Sequence, residues 1–101
     1  MANKKLLKDI KVLGSAIKVT RESDMSDMMG EFIADESKIK ISSKLEYNVA
    51  CETLFHEVIH AAFFVSGQSE LLKDSHEEAI IRMLEKALMP FVDKNKLSGR
   101  K

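Results

Sequence analysis

Apolar residues fall two apart in the first half of the chain and three or four apart in the second. Ile10 and Val12, then Ile17 and Val19, alternate with Lys11 and Lys18. That spacing predicts two short strands around a turn at Gly14-Ser15. Residues 22–29 are polar and Met-rich without a clear period, which reads as a loop or one helical turn that Gly30 closes. Phe32 and Ala34, then Ile39 and Ile41, flank Asp35-Glu36-Ser37 and read as a β-hairpin.

From about Leu45 the period becomes 3.6. Tyr47, Ala50, Cys51, Leu54, Phe55, Val58, Ile59, Ala62 and Phe63 trace one helix. Ser42 or Ser43 is its expected N-cap, with Glu46 completing a capping box, and Gly67 is its expected C′ residue. A polar connection over 68–75 leads to a second helix from about His76 to Val92. Ser75 is the expected cap there, paired with Glu78. Pro90 kinks or ends that helix, and the polar tail from Asp93 is expected to fray. The fold class is therefore α+β: a small antiparallel sheet of three or four strands, then two long helices, in one domain spanning 1–101.

Composition narrows the function classes. Sixteen basic and sixteen acidic residues cancel, which argues against a nucleic-acid binder working through bulk positive charge. The single cysteine, Cys51, cannot form an intrachain disulfide. No apolar run approaches the roughly 20 residues of a membrane span, and the N-terminus lacks a signal-like apolar core. The expected location is the cytoplasm, in a bacterium or encoded by a phage. Met25, Met28 and Met29 read as core filler. Lys94, Lys96, Arg100 and Lys101 read as a solvated basic tail.

The first long helix carries His56-Glu57-Val58-Ile59-His60. Residues i and i+4 lie about 40° apart around a helix and about 6 Å apart along it. Two imidazoles so placed can hold one zinc ion from the same face, and the intervening Glu57 can take a proton from water at that ion. Both residues of the pair come from a chain with only three histidines. Cys51, about 140° from His56, points to the core instead.

Zinc needs a third protein ligand. Asp74, His76, Glu77 and Glu78 open the second helix. Ile80, Ile81, Leu84 and Leu88 define its apolar stripe. Glu77 continues that stripe inward, while Glu78 aligns with Arg82 and Glu85 on the polar face. An acid on the buried stripe is costly unless a cation meets it, so phase favours Glu77, with Glu78 and His76 as alternatives.

The run Thr53–Ala61 and the later Glu77–Leu84 resemble the two ligand-bearing helices of minimal gluzincin metallopeptidases. These include phage- and mobile-element-encoded proteins and the ImmA/IrrE peptidases. The second helix departs from the usual E-x-x-A-N pattern: position 76 is His76, and Ala79 is followed by Ile80. The resemblance implies a zinc (Zn2+) peptidase in which His56, His60 and Glu77 hold the metal and Glu57 is the general base. His76 and Tyr47 are the candidates for stabilising the oxyanion. The strand at 38–42 would pair with an extended protein or peptide substrate. The alternative is a catalytically inactive zincin-fold binding or regulatory module of a phage or mobile element. A metal-free interaction protein with a coincidental motif is the third reading.

Overall fold

The structure, a computed structural model, describes residues 5–99. The start of the N-terminal segment, and Arg100 and Lys101 of the basic tail, lie outside the described residues.

β1 (Asp9–Val12) and β2 (Ser15–Glu22) form an antiparallel hairpin in which Val12 faces Ser15. The two-residue loop is therefore Leu13-Gly14, one position earlier than expected. Both residues have positive φ, 50° and 86°, as a hairpin turn matched to the strand twist requires. β3 (Gly30–Ile33) and β4 (Lys38–Ser42) form the second hairpin, through a 3-10 turn at Ala34–Glu36 and a left-handed Ser37. Residues 23–29 are a loop.

The strand order is β1-β2-β4-β3, and β2 pairs with β4 in parallel, from Lys18↔Lys38 to Glu22↔Ser42. The sheet is thus mixed rather than antiparallel throughout. Alternation within a hairpin identifies its two strands but carries no information on how two hairpins dock. Here the loop after β2 takes the chain to the far edge, and β4 returns to the middle. That middle position explains why Ile39 and Ile41 are fully buried.

α1 (Tyr47–Val65) lies across the sheet. Ala50, Cys51, Leu54 and Ala61 form one core with Leu6, Val12, Ile17, Val19, Ile39 and Ile41. Its N-cap is Glu46, whose side chain accepts from the Asn48 N–H. Ser42 is unavailable for that role because it ends β4, buried and paired with Glu22. Gly67 follows the helix at φ 85°, the left-handed C′ geometry expected of it.

α2 (Asp74–Leu88) begins two residues before its expected start, and Ser75 lies inside its first turn instead of capping it. Pro90 falls in a separate 3-10 turn, Met89–Phe91, so the helix stops at Leu88. The tail is not frayed where it is described. Leu97 packs against the core, Leu6 bridges Ser98, and the Gly99 N–H donates to the Lys5 carbonyl at 2.6 Å. An apolar residue with backbone partners outweighs the polar composition around it. Among the described residues, no helix is long and apolar enough to cross a membrane.

Candidate metal centre

α1 projects His56 and His60 from successive turns, with ring centroids 5.0 Å apart. α2 supplies the opposing carboxylates. Glu78 lies between the two rings: one oxygen is 2.9 Å from His60 Nε2 and the other 3.2 Å from His56 Nε2. The outer nitrogens are also engaged. His56 Nδ1 meets Glu85 at 2.7 Å, and His60 Nδ1 meets Glu77 at 2.8 Å. Arg82 Nε donates to Glu78 at 2.8 Å, one turn along the same helix. Ascending α2 from Glu77 to Glu85 means descending α1 from His60 to His56, so the two helices run antiparallel across the site.

His56, His60 and Glu78 form a group whose donor atoms all lie within 4.8 Å of one another. Zinc bonds of about 2.0–2.2 Å in a tetrahedron set neighbouring donors roughly 3.3–3.5 Å apart. The Glu78 oxygens, 2.9 and 3.2 Å from the two Nε2 atoms, lie a few tenths of an ångström inside that spacing. Nitrogen and carboxylate oxygen are also the donor types zinc accepts. The residues therefore fit a divalent cation. A neutral imidazole donates through one nitrogen only, yet each ring here faces a carboxylate at both. A cation at the Nε2 side removes that conflict.

Glu77, the third ligand favoured by helix phase, stands behind His60 at its outer nitrogen. The phase argument placed it inward, and its side chain is only 12% exposed. What phase could not reveal is that the polar stripe of Glu78, Arg82 and Glu85 also turns towards α1. Glu85 went unrecognised as part of the site. Its signal was present: it lies seven residues, two turns, after Glu78.

Glu57 is buried beside the pair, 8% exposed. Burial raises its carboxyl above the ordinary carboxylate range, with the nearby histidine charges and the Phe32 backbone N–H pulling the other way. Burial would lower the His56 pKa, but the Glu85 hydrogen bond and the charges of Glu78, Glu57 and Glu85 raise it overall. Glu78 is lowered: its desolvation is outweighed by Arg82 and by the two histidines.

No protein-family model, curated protein or solved structure matches this chain.

The site opens into a cleft of about 1300 Å³ between β3, α1 and α2. Gly30 is the reason β3 approaches α1 so closely. A Cβ at this position would lie 2.6 Å from the Thr53 methyl and 3.2 Å from Glu57 Cγ. Phe64, one turn after His60, stacks edge-on against Phe32 at 5.8 Å and forms part of the wall. His76 is exposed and lies outside the cleft lining. Tyr47 is at the other end of α1, donating to the Lys94 carbonyl at 3.3 Å. The cations that do line the cleft are Arg82 and Lys86. β4, expected to receive substrate, is flanked on both sides by β2 and β3, so the edge beside the cleft belongs to β3. Of the three methionines read as core filler, Met25 is buried, while Met28 and Met29 are about half exposed.

Proposed function

We propose that this protein is a zinc-dependent metallopeptidase in which His56, His60 and Glu78 hold the metal and Glu57 moves the proton. The observation that carries the reading is the Glu78 carboxylate between two Nε2 atoms, with a buried glutamate next to the first histidine. When bound, zinc supplies Lewis acidity, acidifying water and polarising a carbonyl.

Glu57 takes the proton from the attacking water and returns it to the departing amine. Burial raises its carboxyl above the ordinary carboxylate value, the direction expected of a general base. The volume of the cleft exceeds the usual 300–1,000 Å³ of small-molecule pockets, which favours an extended peptide. Such a peptide would add to the free edge of β3, where Gly30, Glu31 and Phe32 line the cleft. Arg82 or Lys86 would then face the oxyanion, in place of His76 or Tyr47.

The test is zinc per chain by elemental analysis, followed by cleavage of a mixed peptide library. Wild type should carry about one zinc, His56→Ala none, and Glu57→Gln a full complement with cleavage reduced at least 100-fold. A zinc-loaded wild type that cleaves nothing would favour the binding or regulatory module. Absence of zinc uptake on titration would sink the metal reading.

A further inference from the structure

α2 delivers three carboxylates to the histidine pair, and only Glu78 lies between the Nε2 atoms. Glu85 and Glu77 stand on the far side of the rings, each within 2.8 Å of one Nδ1. Their side chains are 26% and 12% exposed, so water is a poor substitute for either partner. An imidazole that binds a metal through one nitrogen carries its proton on the other, and that N–H needs an acceptor when half-buried.

We infer that Glu85 and Glu77 are positioning residues that hold His56 and His60 with the proton on Nδ1 and the Nε2 lone pair aimed at one divalent cation. This rests on the metal site proposed above. Neither residue enters the coordination group: the donor atoms lying mutually within 4.8 Å belong to His56, His60 and Glu78. Each acts on one ring only. The assignment also explains two acids on the inward side of a helix, where burial without a partner is unfavourable. A single helix thus carries one ligand and two supports, one to each side of it in sequence.

The experiment uses the full chain and zinc itself. Zinc affinity is measured by competition with a chromophoric chelator for Glu77→Ala, Glu85→Ala, Glu77→Gln, Glu85→Gln and Glu78→Ala. The alanine variants at 77 and 85 should bind one zinc about 10–100-fold more weakly. Glutamine, whose amide oxygen still accepts from Nδ1–H, should recover most of the loss. Glu78→Ala should lose more than either. Imidazole 15N spectra of the zinc-loaded protein give the second readout. Both rings should be protonated at Nδ1 in wild type. Glu85→Ala should hasten solvent exchange of the His56 N–H alone, and Glu77→Ala that of His60 alone. Should an alanine variant unfold, Glu77→Asp and Glu85→Asp keep the charge but lose the reach, and should weaken zinc by the same order. Wild-type affinity with unchanged imidazole signals in these variants overturns the inference and leaves the metal site standing. So does stoichiometric zinc in Glu78→Ala with loss in Glu77→Ala, which would make Glu77 the ligand. A wild-type chain that takes up no zinc overturns both.

Discussion

Glu57, Glu77, Glu78 and Glu85 surround two histidines, and the metal-free protein must accommodate that charge. His56 has a raised native pKa, so its folded form holds a proton more tightly than its unfolded form. Its contribution is fully present below the unfolded imidazole value of about 6.5 and is lost as pH rises through the higher native value. Glu78, with a lowered pKa, contributes above the ordinary carboxylate range and loses that contribution as pH falls through its native value. Urea unfolding in a chelator should therefore show stability declining above about pH 6.5, and His56→Gln should flatten that decline. An unchanged slope in His56→Gln would place its origin elsewhere. Gly30 makes a second prediction. Gly30→Ala puts a methyl against Thr53, a β-branched side chain with little freedom to move. It should cost about 1–3 kcal/mol in chemical denaturation. A neutral effect would mean that β3 withdraws freely from the site.

α2 buries a single residue completely, Ile81, and meets α1 through carboxylates and imidazoles. Zinc bound at the proposed site would therefore staple the two helices. Hydrogen exchange should slow in α2 on zinc loading, far more than in β2 and β4, and equal protection everywhere would count against this. The tail offers a contrast. Leu97→Ala should cost about 1–2 kcal/mol, less than a fully buried leucine, with or without metal. The same two elements mark how far the sequence could be read. The strands, both helices and the pentapeptide on α1 were legible because alternation and 3.6-residue periodicity are local signals. The N-caps were not, although Gly67 was: Ser42 is held by the strand it ends, and α2 starts at Asp74, ahead of Ser75. The third carboxylate was not settled either. Helix phase separates inside from outside, but it does not show that a polar stripe faces a neighbouring helix's histidines. The packing of the tail depended on pairing between Leu6 and Ser98, across almost the whole chain.

In the whole molecule, α1 packs on the sheet, α2 packs on α1, and the cleft lies where β3 ends the sheet. Exposed Lys11 and Lys18 read as the solvated side of strands whose Val12, Ile17 and Val19 are buried. The parallel seam between β2 and β4 has a consequence for time as well as shape. Each hairpin closes locally, within microseconds. The seam joins residues about twenty apart, and non-local pairings of this kind govern folding rates. Val19→Ala and Ile39→Val, on the two sides of the seam, should slow refolding in stopped-flow measurements, whereas Ile81→Val should chiefly hasten unfolding. Equal effects on both limbs would contradict that order. Gly30 meets Glu57 only when β3 lies on α1, so the pocket needs both the second hairpin and the helix in place. An ion bound to so composite a site would prolong the life of the folded chain without shortening the time taken to reach it.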